Sequence, residues 1–404
     1  MSGPLAGVTV VEIAGEASAW AGRLLADLGA DVVLVEPPGG HYTRSYEPFV
    51  DDVADRERSL WFWHYHASKR GVVLDLNTPA GQSSLRSLVA NADVVVECGQ
   101  AGELAAILGP RPERLIHVAL TPFGQAGPRD VPVSDLTVLA GGGPVWSCGY
   151  DDHSVPPVRG GGNQGWHTGC HYAVLGVLTA LVSREVTGRG QFIDVSLHAS
   201  VNVTTEFASY GWLVAQDTVL RQTGRHAARR QTAPTQILCV DGRYLNSAAA
   251  ARRGKEFAAL TGWIEQIGGE EEFDEYGVLK LGEDIDFISM ADMAEDSLKG
   301  EIFGAGRAAI EFLATKLSAY DLFIGMQQRG LPAGIVYSPE EVMGDPHFVA
   351  RGFPTAIRHE DLGRDVLYTG APLRFTVSPG GPRHRAPKLG EHQDLVGTPG
   401  GVRL

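Results

Sequence analysis

Cysteine is scarce in this sequence. Its four residues (Cys98, Cys148, Cys170, Cys239) lie far apart and form no C-x-x-C pair. That argues against a disulfide scaffold and suits reduced thiols in a cytoplasm. No apolar run reaches the roughly 18 residues needed to span a bilayer, so no membrane partner is expected. Clustered basic residues on the scale of a nucleic-acid footprint are also lacking; the net charge is −14, with the acids scattered. The opening MSGPLAGVTVVEIAG has no basic segment followed by a cleavable apolar stretch, and it reads as free of a leader. Internal repeats and low-complexity tracts are absent. A further absence is chemical: between Ser154 and Ile193 the only acid is Glu185.

What is present is an ordinary globular composition, 44% apolar and 20% charged, over 404 residues, enough for two domains. The first half predicts strands at 8–13, 30–36, 71–76, 93–98, 115–120 and 192–198, rich in Val, Ile and Leu and separated by helical patterns. Strands alternating with helices imply right-handed crossovers and a parallel, doubly wound sheet, an α/β fold. Apolar spacing predicts one long helix over 169–186. The arginine-rich stretch 221–230 reads as an exposed crossing segment, and Asp241-Gly242 as the turn of a hairpin. Residues 250 to about 327 read as helical and acidic, and the chain beyond Gly330 as loop-rich and extended.

Several segments could carry chemistry. Gly160 to Gly165 spell G-G-G-N-Q-G, but a dinucleotide fingerprint needs a strand immediately before it, and DDHSVPPVR is not one. Close approach of backbone to a ligand, with free N–H groups at the following helix start, suits these glycines better; a bare connection is the plain alternative. His167 and His171 share a helical face, yet no Glu follows the first and no third zinc ligand stands out, so no metal is expected. Cys170 near the helix start could be a nucleophile beside histidine or a small core residue. His64-Tyr65-His66 reads as a loop. Arg221, Arg225, Arg229 and Arg230 could meet phosphates or simply face solvent. Arg44, Lys69 and Arg70 lie beside strand ends or entries, where open α/β sheets bind ligands.

Taken together, the motifs resemble the class III CoA-transferases, the CaiB/BaiF family that includes formyl-CoA transferase, carnitine CoA-transferase and the α-methylacyl-CoA racemases. PLAGVTVVEIAG…LLADLGADVVLVEPPGG is similar to the family's opening strand–helix–strand, KRGVVLDLNTPAG to its second block and ADVVVE to its third. LGVLTALVSREVTGRGQFIDVSL, LPAGIVYSPEEVMGDPHFVARG and APKLGEHQDLV are similar to later blocks. The resemblance implies a Rossmann-like large domain formed by both chain ends, a smaller inserted α+β domain and an interlocked dimer. In this sequence that division places the large domain at 1–215, the small domain with its crossing linker at 216–329 and the C-terminal return at 330–404. The ligands it implies are acyl-CoA and a carboxylic acid, with coenzyme A itself the only cofactor-like group. Carried onto matching positions, it points to Glu16 and Ala17, to Leu74, Asp75, Leu76 and Asn77, and to Glu97 and Cys98 as CoA contacts, with Arg44 and Lys69 added as neighbours.

The family's chemistry uses an Asp just before the long helix. Its carboxylate takes the acyl group as a mixed anhydride, becomes a CoA thioester and is then displaced by the acceptor acid. Here that position falls on Trp166, or on Gly165 if one residue is inserted. The segment 97–100, ECGQ, also departs from the family's usual Asn-Phe after the Glu, and VSDLTVLAG lacks the His of the racemase pair. Three readings follow. In the first the chain is a CoA-transferase in which His167 replaces the Asp as nucleophile or base, with Gln164 and Asn163 orienting substrate. In the second it is a non-catalytic CoA-binding or structural subunit of a heterodimer with an Asp-bearing homologue. In the third it is an acyl-CoA hydrolase or lyase.

Overall fold

The strands of the sheet form where the sequence packs β-branched residues into short runs. The computed structural model describes residues 3–99, 102–128, 131–247, 251–289, 291–292 and 296–396, apart from the side chains of residues 206 and 207. Gln100, the end of the ECGQ segment, lies outside them. The chain divides into two compact units. The first comprises 1–147, 158–216 and 343–404, so both chain ends build it; the second comprises 148–157 and 217–342.

The first unit holds six parallel strands in the order β3-β2-β1-β4-β5-β6. They are β1 (Thr9–Ile13), β2 (Asp31–Glu36), β3 (Arg70–Val73), β4 (Val94–Glu97), β5 (Ile116–Thr121) and β6 (Phe192–Ser196). Because side chains alternate along a strand, Val10 and Val11 of β1 enter different cores. Val10 joins Val32, Val94 and Val118 beneath helices α1 (Ala19–Asp27) and α6 (Gln164–Thr187). Val11 joins Val33, Val72 and Val95 against α3 (Pro79–Ala90) and α4 (Glu103–Leu108). Burial on both faces is why these strands read as continuous Val, Ile and Leu.

Local signals start the helices. Thr78 caps α3 by accepting the Gly81 N–H, with Pro79 at the first helical position. Ser59 caps α2 (Leu60–His66) through the Phe62 N–H. Ser134 caps α5 (Asp135–Gly142) through the Thr137 N–H, and Ser196 caps α7 (Leu197–Asn202). The C-terminal segment is more regular than its loop-rich sequence suggests. It includes an antiparallel hairpin, Pro354–His359 with Arg364–Thr369, whose Ile357 and Tyr368 pack with Phe62 and Trp63 of α2.

In the second unit, Gln236–Leu238 and Tyr244–Asn246 form the expected hairpin around Asp241-Gly242, extended by Gly334–Ile335. Helices Gly254–Gln266, Ser297–Lys316 and Ala319–Gln328 bury Phe257, Trp263, Leu313 and Met326. The stretch 221–230 is not the plain crossing segment expected. Leu220–Gln222 and Arg225–Ala228 pair as a hairpin. Arg225 grips Asp151 with two bonds, at 2.8 and 2.9 Å, and Arg229 meets Asp217 at 2.7 Å. Those guanidinium groups already have carboxylate partners within the fold.

Candidate active site

The strand order reverses between β1 and β4, and in open α/β sheets the crevice at such a reversal, beyond the carboxyl ends of the strands, receives ligands. β1 runs into Gly15-Glu16 there and β4 into Cys98. A Cβ on Gly15 would lie 2.1 Å from Cys98 Sγ, so only glycine lets the two loops meet. Ser18 donates to that sulfur at 3.3 Å, and burial pushes the Cys98 thiol up, holding its proton in place.

Glu16 is half-buried and held by neutral donors. Its Oε2 accepts the Tyr46 hydroxyl at 2.8 Å and the Tyr42 hydroxyl at 3.2 Å, and its Oε1 accepts the Trp166 indole N–H at 3.3 Å. Among the described residues no Lys, Arg or His forms an ion pair with it. Burial, then the neighbouring Glu16, raises both phenols, Tyr46 to about 12, so both remain donors at neutral pH.

The start of α6 corrects two expectations. The helix begins at Gln164, five residues before Gly169, so Gln164 sits on its first turn, ahead of the expected start. The amides expected to be free for a ligand are also taken: Gly165 N–H and Trp166 N–H donate to Asp135 Oδ1 at 2.7 and 3.2 Å. Asp135 is 7% exposed, and Arg159 Nη1 lies 3.2 Å from its Oδ2. A carboxylate from a different helix therefore caps α6, favoured by the positive end of the helix dipole.

His167 sits in a relay. Asn163 donates to the Tyr65 hydroxyl at 3.2 Å, and that hydroxyl lies 2.8 Å from His167 Nε2. Burial, then His171, lowers His167 to about 4, so its ring is neutral, and Nε2 shares one hydrogen bond with the Tyr65 hydroxyl whose direction follows the tautomer. Trp20 stacks on the imidazole at 4.8 Å. With Nε2 engaged by Tyr65 and its basicity low, this ring is better suited to positioning than to the nucleophile or base role that the sequence suggested. His171 Nε2 instead accepts from the Trp20 indole N–H at 3.5 Å, so the hydrogen bonds of the two histidines go to different residues. Among the described residues no group of three or more His, Cys, Asp or Glu is placed to hold a metal. Cys170 is fully buried and donates to the Ala17 carbonyl at 3.0 Å, and burial raises its thiol, which removes it as a nucleophile at neutral pH. His64-Tyr65-His66 is the end of helix α2 rather than a loop.

Arg44 and Lys69 do not face the crevice as free cations. Arg44 is 1% exposed and binds both Glu36 oxygens, at 2.7 and 2.8 Å, together with Glu57. Lys69, fully buried, lies 2.7 Å from Glu12 and donates to the Ala19 carbonyl and His66 Nδ1. Their expected role as CoA contacts gives way to one inside the fold. Leu74, Asp75, Leu76 and Asn77 leave β3 at the same sheet edge as Glu16, with Leu74 buried, Asn77 exposed and Asp75 Oδ1 accepting the Asn77 N–H. Glu97 is buried and bonded to His117 Nε2 at 2.6 Å. The residues missed from sequence are Trp20, Tyr42, Tyr46, Tyr65 and Asp135. The aromatic density of HYTRSY and LWFWHYH was the available signal for three of them.

The description "CoA-transferase family III" fits residues 5–393. The chain is 30% identical, over 95% of its length and 91% of the relative's, to the succinyl-CoA:(R)-benzylsuccinate CoA-transferase subunit BbsE of Thauera aromatica. It is 31% identical to the succinate–glutarate CoA-transferase of Agrobacterium fabrum, over 97% and 94% of the two chains. A solved CaiB/BaiF family protein from Brucella suis superposes with a TM-score of 0.76 at 27% identity, covering 98% of this chain and 99% of the other. The reversal of strand order, the sheet-edge loops and a match along nearly all of the sequence agree: this chain belongs to CoA-transferase family III.

Proposed function

We propose that this chain transfers CoA between an acyl-CoA thioester and a carboxylic acid, in the crevice beyond β1 and β4. One observation supports the reading: at the reversal of strand order, Glu16 meets Trp166 and the start of α6, the segment onto which the family resemblance carries its chemistry. The thioester lies beside Trp166 and His167, and the adenine end reaches the loop Leu74–Asn77 at the same sheet edge. Asn163 and Tyr65 orient His167, whose neutral ring hydrogen-bonds rather than titrates near pH 7. The working unit is an interlocked dimer in the cytoplasm, with a large domain formed from both ends of the chain and a small domain inserted between them. The test is to offer the purified chain succinyl-CoA, the donor named for several relatives, and then other acyl-CoAs, each with a panel of carboxylic acids. New acyl-CoA read by chromatography and mass spectrometry is the expected result. No exchange with any pair would remove the reading.

A second reading rests on the absent Asp together with a relative named as a subunit. In it the chain binds CoA beside a homologue that supplies the nucleophile. It requires activity only on mixing with that homologue, and native mass spectrometry would show the heteromer.

A further inference from the structure

We infer that Glu16 is the nucleophile that takes the place of the missing Asp. The inference rests on the transferase reading and names the atom that reading lacks. The family's Asp position falls on Trp166, and the Trp166 indole N–H reaches 3.3 Å to Glu16 Oε1. A carboxylate therefore arrives from the facing β1–α1 loop at the residue where the family has its own. Three features fit it for covalent work. It stands at the switch point of the sheet, where ligands enter. It is only half-buried, so a thioester carbonyl has an approach. Its hydrogen-bond donors are two phenols and an indole, with no ion-pair partner among the described residues, so no bound cation withdraws its electrons. Asp135, the other carboxylate nearby, lacks these features. It is 7% exposed, its Oδ1 takes two backbone amides and its Oδ2 faces Arg159.

The chemistry balances without any redox partner. A Glu16 oxygen attacks the acyl-CoA carbonyl, the C–S bond breaks and CoA thiolate leaves, giving an acyl–Glu16 anhydride. The thiolate attacks the Glu16 carbonyl, expelling the donor's carboxylate with one former Glu16 oxygen and leaving a glutamyl-CoA thioester. The acceptor carboxylate attacks that thioester, releasing the thiolate again. The thiolate then attacks the acceptor's acyl carbon and frees Glu16, which keeps one oxygen of the acceptor. During these steps Tyr42, Tyr46 and Trp166 hold the carboxyl group in place by hydrogen bonds.

That last oxygen is the test. The wild-type protein is incubated with a panel of acyl-CoAs, each paired with its own acid labelled with oxygen-18, and the peptide holding Glu16 is sequenced by mass spectrometry. Heavy oxygen on Glu16, together with Glu16→Gln losing about 10³-fold or more in kcat while still binding CoA by calorimetry, is the expected result. Turnover with the label on Asp135 or on no side chain overturns the assignment of Glu16 and leaves the transferase reading standing, as does full activity in Glu16→Gln. No exchange with any acyl-CoA by the wild-type chain overturns both. The wild-type labelling does not depend on the variant's folding.

Discussion

The carboxylate of Asp135 accepts the backbone N–H of Gly165 at 2.7 Å, from a helix thirty positions earlier in the chain. It also accepts the Trp166 N–H, so one α5 side chain satisfies two of the amides that every helix start leaves unpaired. The placement of Trp166, and through it of Glu16, depends on that cap.

Asp135→Ala strands two buried amides, while Arg159 keeps the Gly160 and Gly162 carbonyls. It should lower stability by about 1–3 kcal/mol, the usual cost of leaving buried polar groups unsatisfied. Asp135→Asn keeps an acceptor oxygen and should lose less, with the dipole interaction accounting for the remainder. Urea unfolding of the two variants beside the wild type measures the difference, and equal losses would contradict the capping role.

His167 gives a pH prediction with a definite sign. Burial lowers its pKa to about 4 in the fold, below the ordinary value of 6.5. Between those values the unfolded chain binds more protons than the folded one, so stability rises with pH across that window. The contribution is complete above about 6.5 and is lost as pH falls through about 4. His64, lowered to about 4 chiefly by burial, acts in the same direction. The urea midpoint should therefore climb between pH 4 and 6.5, less steeply in His167→Asn and least in the variant lacking both rings. An identical slope in all three would refute the buried neutral state.

How far the sequence was legible depended on whether the deciding contact was local. The six strands could be read because burial on both faces leaves runs such as Val32 to Val35. Helix α3 could be read because Thr78 and Pro79 stand beside its start. Helix α6 was read as starting too late because its cap, Asp135, comes from elsewhere in the chain and Gly165 looked like loop. The pairing of Trp20 with His167 was hidden as well, because Trp20 stands on α1 and only the fold brings it to a ring on α6. Arg44 and Lys69 misled for a related reason. Their charge is visible in sequence, but nothing local shows that Glu36 and Glu12 on the central strands turn toward them.

The buried pair of Glu12 and Lys69 should reveal itself in a double-mutant cycle. Both side chains are fully buried, 2.7 Å apart, and burial pushes the Glu12 carboxyl up to about 7 against the pull of Lys69. Lys69→Met alone leaves a carboxyl without its partner and should cost about 3–5 kcal/mol. Pairing it with Glu12→Gln should recover a large part of that loss, since the charge to be compensated is gone. Strict additivity of the two single changes in thermal or urea unfolding would count against the coupling.

Putting a carboxylate back at the family's alternative position should fail. An added Cβ at Gly165 would lie 3.0 Å from Asp135 Oδ1 and 3.4 Å from both Leu139 Cγ and Val138 Cγ1, so Gly165 faces α5 rather than the crevice. Gly165→Asp therefore crowds a packed contact, at a cost of about 1–3 kcal/mol. It also sets two like charges side by side, which disfavours ionisation of at least one of them. The variant should lose stability and gain no transferase activity, while Gly165→Ala should show the steric part of the loss without the electrostatic part. Faster CoA transfer by Gly165→Asp would mean that the loop can turn this position toward the thioester, and that a nucleophile can be supplied from α6 after all.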